Sequence, residues 1–113
     1  MRIAVIGSRT INVSDIGKYI ENCDEIVSGG AKGVDSSAAE YAKKAGLKLT
    51  VFLPDYSKYG RGAPIVRNKE IVDYADFILA FWDGESKGTH SVIRYAEKTG
   101  KPYKIILCES CQS

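Results

Sequence analysis

The sequence lacks a long apolar run, contains a single histidine and has no large excess of charge of either sign. Its longest apolar run, 77–82, has six residues, whereas a helix that crosses a bilayer needs about 20. The first residues form a strand-like, β-branched segment without the charged and apolar regions of a secretion signal. We therefore expect neither membrane insertion nor export, and we predict a cytoplasmic protein.

The charged residues are close to balance, with 16 Lys and Arg against 14 Asp and Glu in 113 residues. A protein that mainly coats duplex DNA is usually far more basic. With 44% hydrophobic and 27% charged residues, the composition is that of a folded chain of one domain. We predict one domain over 1–107, followed by a short tail at 108–113.

Three cysteines are too few and too scattered for a disulfide framework or a zinc site. Cys23 lies alone in a helical stretch, and Cys108 and Cys111 form a C-x-x-C pair at the tail. A zinc site needs four ligands, and His90 is distant in sequence from all three cysteines. We interpret the thiols as structural or incidental, with redox or metal use as the alternative, and we predict no bound metal.

Apolar side chains alternate between strand-like and helical spacing along the whole chain. The pattern predicts strands at 3–6, 25–28, 47–53, 76–82 and 102–107, and helices at 13–22, 34–45, 65–74 and 89–99. Such alternation indicates an α/β domain with a five-stranded parallel sheet between two helical layers. Right-handed crossovers favour the strand order 3-2-1-4-5. Ligands of such sheets bind outside the carboxyl ends of the strands, so function is expected in loops 7–10, 28–33, 53–64 and 82–89.

The first two of these loops offer groups that bind an anion. Loop 7–10 combines a flexible turn, hydroxyl groups and a guanidinium that can form two parallel bonds to a phosphate, and taken alone it is also typical of an ordinary turn with an exposed arginine. Loop 28–33 is rich in glycine and leads into a helix, whose first N–H groups have no intrahelical partner. Loop 28–33 is neither a Walker A loop nor a G-x-G-x-x-G dinucleotide motif. We predict no bound cofactor. The candidate ligand-binding residues here are Gly7, Ser8, Arg9, Gly29, Gly30, Lys32, Gly33 and Asp35, of which Asp35 has a helix cap as its alternative role.

The other two loops complete the candidate site. Tyr56 and Tyr59 in loop 53–64 are suited to a flap that stacks on a base, although a solvated connection would look similar. The next helix is expected to carry Arg67 and Asn68 in its first turn. Loop 82–89 ends in Gly88-Thr89 at a second helix start, which can bind an anion. The candidate residues here are Tyr59, Arg67, Asn68, Gly88 and Thr89. For His90 we favour a structural role in the helix turn.

Segment 28–35, together with Arg67-Asn68 and Gly88-Thr89, resembles the SLOG superfamily, which is named for the SMF/DprA and Lonely-guy proteins. The resemblance covers nearly the whole chain, and it is closest to small stand-alone members of uncharacterised type. It implies a Rossmann-like domain that binds a phosphate-bearing nucleotide or a nucleotide-derived ligand. It also implies a homodimer, for which helix faces carrying Tyr74 or Tyr95 are the candidate contacts.

Whether the chain is an enzyme stays open at this point. Lonely-guy enzymes hydrolyse the N-glycosidic bond of nucleoside 5'-monophosphates, and Arg67 and Gly88-Thr89 match their motif. The Pro-Gly-Gly of that motif is replaced here by 84–87, however, and its glutamate position is occupied by Val92. Glycosidic cleavage normally needs a carboxylate, for which Asp83 or Glu85 is a substitute. Binding is therefore the leading function, N-glycosidase activity the alternative, and single-stranded nucleic-acid binding, as in the DprA branch, the third reading.

Overall fold

A computed structural model of the chain describes residues 1–7, 16–20, 23–29, 34–82, 84 and 86–107. Its sheet has five strands, all parallel, in the order β3-β2-β1-β4-β5. This confirms the predicted fold class and strand order. The strands are β1 (Arg2–Gly7), β2 (Glu25–Ser28), β3 (Lys48–Val51), β4 (Phe77–Trp82) and β5 (Tyr103–Leu107).

Helices cover both faces of the sheet. Within the described ranges they are α1 (Val34–Ala45), α2 (Tyr56–Tyr59), α3 (Ala63–Tyr74) and α4 (Lys87–Thr99), with short 3₁₀ helices at Ile16–Tyr19 and Gly60–Gly62. From β1 the sheet continues through β2 to β3 on one side and through β4 to β5 on the other. Because each crossover is right-handed, α1 lies on one face of the sheet, and α3 and α4 lie on the other. None of the described helices is long and apolar enough to cross a bilayer.

Two apolar clusters, one on each face of the sheet, form the core. In β2, Ile26 packs in the cluster with α1, and the next residue, Val27, packs in the cluster with α3 and α4. The alternation follows from the two-residue period of a strand. The central strands β1 and β4 are buried on both faces, which explains why they read as continuous apolar runs.

Some predicted boundaries are wrong, and local hydrogen bonds explain the clearest cases. The helix predicted at 13–22 is a 3₁₀ helix, Ile16–Tyr19, in its described part. Loop 53–64 is largely helical, because the Asp55 carboxylate caps α2 by accepting hydrogen bonds from the Lys58 N–H at 3.2 Å and the Ser57 hydroxyl at 2.7 Å. Helix α3 begins two residues before 65, with Pro64 in its first turn, where proline is tolerated. Helix α4 begins two residues before 89.

A polar network closes the amino-terminal edge of the sheet, opposite the predicted site. Its centre is Glu25, which is only 8% exposed. One of its carboxylate oxygens accepts hydrogen bonds from the Thr50 hydroxyl at 2.5 Å and the Tyr74 hydroxyl at 2.6 Å. These two bonds hold the pKa of Glu25 below its ordinary value, against the opposite effect of burial, and nearby Lys48 and Arg2 act in the same direction. The network joins β2, β3 and α3.

Candidate functional site

The strand order reverses between β1 and β4, and the candidate site lies at their carboxyl ends. Strand β1 pairs with both β2 and β4, and Gly7 at its end is in register with Phe81. In sheets of this kind, ligands bind outside the carboxyl ends of the strands, at the point where the strand order reverses. Gly7 is therefore at the edge where a ligand of this fold class binds.

Arg67 is held at the carboxyl end of β2 by two hydrogen bonds. Its Nη1 donates to the carbonyl oxygen of Gly29 at 2.8 Å, and its Nε donates to Asn68 Oδ1 at 2.9 Å. Gly29 directly follows β2 and is buried, whereas the Arg67 side chain is half-buried. A residue of α3 thus brings a guanidinium to the start of the glycine-rich loop, 38 positions away in sequence.

One expectation about this helix needs correction. Because α3 begins at Ala63, Arg67 and Asn68 lie in the second turn and not in the first. Asn68 is 9% exposed and accepts the bond from Arg67, so in this structure it orients the arginine. The Arg67 guanidinium thus contacts a side-chain amide oxygen and a backbone carbonyl oxygen.

The start of α4 differs from the predicted anion site in one respect. Ser86 is the N-cap, and its hydroxyl oxygen accepts a hydrogen bond from the Thr89 N–H at a long 3.5 Å. Thr89 is 3% exposed. The Thr89 N–H is therefore already engaged within the helix start. Gly88 is exposed, and a Cβ placed on it would meet no atom within 4 Å.

The tyrosines of the third loop lie on a helical turn. Tyr56 and Tyr59 begin and end α2, and both are exposed. The Lys58 ammonium lies over the ring of Tyr59, 5.2 Å from its centre. The hydroxyl of Ser57 and the amide of Lys58 lower the pKa of Asp55, the residue that caps this turn. The rings are thus carried by an ordered segment at the carboxyl edge of the sheet.

Several sequence-based candidates lie outside the described residues, and one lies at the border. Asp35 is the second residue of α1, but its side chain is not among those described. Cys23 is half-buried, its thiol donates to the carbonyl oxygen of Glu25 at 3.2 Å, and burial raises its pKa. In the described part of the chain, no three His, Cys, Asp or Glu side chains form a group that could hold a metal. The sequence-based candidates that lie outside the described residues are Ser8, Arg9, Gly30, Lys32, Gly33, Asp83, Glu85, Cys108 and Cys111.

Both candidate dimer contacts are used within the molecule. The Tyr74 hydroxyl donates to Glu25, and its ring packs edge-on against Phe52 at 5.5 Å and under the Arg2 guanidinium at 4.3 Å. The Tyr95 hydroxyl donates to the Asp73 carboxylate at 3.1 Å. Each tyrosine therefore has an internal role, and the predicted homodimer stays a prediction.

Sequence reasoning missed one contact beside the site. The rings of Trp82 and His90 stack with their centres 5.6 Å apart and their planes 15° from parallel. The Trp82 indole N–H donates to the Ser86 carbonyl oxygen at 3.0 Å. Together these contacts fix the first turn of α4 against the end of β4. The signal was a tryptophan at the end of a strand, eight positions before a histidine at a helix start.

A comparison with curated proteins finds a similar phage protein whose name states no activity. The chain is 39% identical over 83 residues to the Gene 61 protein of Mycobacterium phage D29, and the match covers 68% of this chain. It covers 66% of the phage protein, just under two thirds of its length. No family model matches the chain, and no solved structure matches it.

Proposed function

We propose that the chain binds a phosphate-bearing nucleotide or a nucleotide-derived ligand at the carboxyl ends of its strands, as the SLOG resemblance implies. The observation that carries the proposal is the position of Arg67. Its guanidinium is half-buried and fixed by Gly29 and Asn68 next to a glycine-rich loop. A pre-oriented arginine loses little side-chain freedom on binding, and its planar fork matches the oxygens of a phosphate.

The energetics favour an anion at this position. The two bonds described for Arg67 use two of the five N–H donors of a guanidinium. A charge-assisted hydrogen bond at a partly desolvated site contributes about 1.5–3 kcal/mol. This exceeds the roughly 0.2–0.5 kcal/mol of an exposed ion pair along a helix.

The start of α4 supplies a second element of the proposed site. Its first N–H groups carry the positive end of the helix dipole. Gly88 is exposed, without a side chain to hinder a ligand. In the proposed complex the phosphate contacts Arg67 and the amide of Gly88, and an aromatic base reaches Tyr59. The SLOG resemblance and the fold class motivate this arrangement together.

A substitution at Gly88 tests the proposal with little risk to the fold. Gly88→Ala adds a methyl group into open space in a helix, so the melting temperature should stay the same or rise. If phosphate oxygens approach this backbone, the methyl group should weaken binding about tenfold. Calorimetric titration with a panel of nucleoside mono-, di- and triphosphates measures the affinity. Gly62→Ala, which also meets open space, is the matched control.

Arg67 variants complete the same experiment. Arg67→Lys keeps the charge and loses the fork, so it should weaken binding by about tenfold or more. Arg67→Ala should also lower the melting temperature, since the buried Gly29 carbonyl loses a donor. Unchanged affinity in both Gly88→Ala and Arg67→Lys would contradict the proposal.

The same panel separates binding from catalysis. Val92, at the position of the Lonely-guy glutamate, is 2% exposed and packs in the core between α4 and the sheet. No carboxylate therefore acts from that position. Release of free base from a nucleoside monophosphate would replace the binding function by that of an N-glycosidase. Affinity that rises with strand length and falls steeply with salt would indicate a single-stranded nucleic-acid binder.

A further inference from the structure

A groove of about 590 Å³ runs along the surface of α3 and α4, on the outer side of these helices. Its positive side chains come from both, with Lys69 on α3 and Arg94 and Lys98 on α4. His90 and Ser91 line it nearer the start of α4. The proposed nucleotide site does not use these residues.

The charge in the groove is mainly positive, with three cations and one carboxylate among the lining residues. Its only acidic lining residue is Glu97, whose carboxylate accepts a hydrogen bond from the Tyr103 hydroxyl at 3.0 Å. Among the described residues, no carboxylate oxygen lies within 4 Å of the side-chain nitrogens of the three cations. The Lys69 ammonium lies 5.8 Å from the ring centre of Tyr95. Positive charge is thus in excess here, with three cations against the carboxylate of Glu97 among the lining residues.

The positions of the cations place positive charge on both helices that border the groove. Arg94 and Lys98 are four residues apart on α4, so they are neighbours on one side of that helix, about 6 Å apart along its axis. Two like charges at this spacing disfavour the helix. Lys69 adds charge from α3. An anion in the groove would relieve this repulsion and contact both helices.

We propose that this groove binds a small, multiply charged anion of the linear oligophosphate class. Its volume lies in the range of about 300–1,000 Å³ that is typical of small-ligand sites. An arginine fork and two ammonium groups are suited to phosphate oxygens. The cores of protein interfaces are instead depleted of charge, so the composition of the groove favours an ionic ligand over a protein surface.

Tripolyphosphate is the probe that tests this proposal. We expect calorimetric titration of the full chain to show saturable binding that weakens as salt screens the exposed cations. The double variant Lys69→Gln/Arg94→Gln should bind about tenfold more weakly. Its melting temperature should not fall, since the substitutions remove repulsion. Lys98 is kept, because a cation in the last turn also stabilises the helix end.

The control removes the same charge from the opposite face of the sheet. Lys43→Gln/Lys44→Gln, in the last turn of α1, should leave the affinity for tripolyphosphate within about twofold of the wild type. Equal loss in this control would mean that net charge alone governs the effect, and it would overturn the proposal. Absence of binding to the wild-type chain would also overturn it.

Two further arms locate and classify the anion. If Arg67→Lys abolishes tripolyphosphate binding and the groove variant does not, the anion binds at the sheet edge and the groove proposal is wrong. A nucleic-acid surface would give an affinity for single-stranded oligonucleotides that increases with strand length. If the Lys69→Gln/Arg94→Gln variant loses such an affinity, the groove binds nucleic acid and the small-ligand assignment is wrong. Binding that is lost only in the groove variant, without dependence on strand length, supports the proposal.

Discussion

At the scale of single residues, the carboxylate of Glu25 makes the most consequential polar contacts described. It lies at the amino-terminal edge of the sheet and accepts hydrogen bonds from hydroxyls of β3 and α3. The Lys48 ammonium lies 3.8 Å from its other carboxylate oxygen. A buried acceptor that loses a charge-assisted bond leaves its donors poorly satisfied. Glu25 is thus a structural residue, although a buried carboxylate is also a common sign of a functional site.

We predict that Glu25→Gln destabilises the fold at neutral pH by about 1–2 kcal/mol, because the amide replaces a charged acceptor by a neutral one. The pKa of Glu25 is lowered in the folded chain, so its stabilising effect is present above the unfolded pKa of about 4.3 and is lost as pH falls through the lower folded value. Urea unfolding measured from pH 7 to pH 3 should therefore narrow the difference in stability between wild type and variant toward the acidic end.

The control for this prediction is Glu40→Gln, the same change at an exposed position of α1. It should alter stability at pH 7 by no more than about 0.5 kcal/mol. A gap between wild type and Glu25→Gln that stays constant from pH 7 to pH 3 would assign the effect to packing instead of charge.

At the scale of elements, the 3₁₀ helix Ile16–Tyr19 is held by close packing against α1. Gly17 lies so near Tyr41 that a Cβ on it would come within 2.8 Å of the ring carbon Cε1. Tyr19 packs edge-on against Phe81, with ring centres 5.3 Å apart. This short helix thereby covers the face of β1 and β4 that α1 leaves open.

Gly17→Ala should therefore destabilise the chain by about 1–3 kcal/mol, since the ring of Tyr41 must move out of its packed position. Thermal or urea unfolding measures the loss. Gly62→Ala is the matched control, because its added methyl group meets open space and its φ is −82°, and it should be neutral or slightly stabilising. If the two variants unfolded alike, the close approach of Gly17 to Tyr41 would carry no energetic weight.

The sequence predicted the elements well and the details of the site less well, for a physical reason. A strand such as β4 is buried on both faces and therefore has a continuous apolar run in its sequence, from which it can be predicted. The link from Arg67 to the Gly29 carbonyl joins positions 38 apart, and no local pattern encodes such a contact. The starts of α2 and α4 depend on single capping side chains, Asp55 and Ser86, which sequence patterns place only to within a few residues.

At the scale of the whole molecule, burial is distributed very unevenly across the sheet. Strands β1 and β4 in the middle are buried, whereas Leu49, Val51 and Leu107 on the two border strands are exposed. An exposed border strand leaves backbone groups and apolar side chains accessible to another chain. The stability against local opening should follow the same gradient from centre to border.

We predict that amide hydrogen exchange, followed by mass spectrometry, is slowest in β1 and β4 and markedly faster in β3 and β5. The reason is that border strands pair on one side only and carry few buried side chains. This gradient would be contradicted if β3 exchanged as slowly as β1 at a protein concentration where light scattering gives twice the 12.4 kDa mass of one chain. Such slow exchange would instead indicate that self-association covers the border, as expected of a homodimer.

The central position of β1 has a consequence for the biogenesis of the chain. Of the five strands of this sheet, β1 is made first, yet it needs partners on both sides, and its second partner, β4, is made about seventy residues later. Until then the nascent chain can pair β1 only with β2, and one apolar border of the growing sheet has nothing to cover it. Non-local strand pairing of this kind is slow and exposes aggregation-prone surface. Protection by a chaperone would therefore matter most in the interval between synthesis of β3 and of β4.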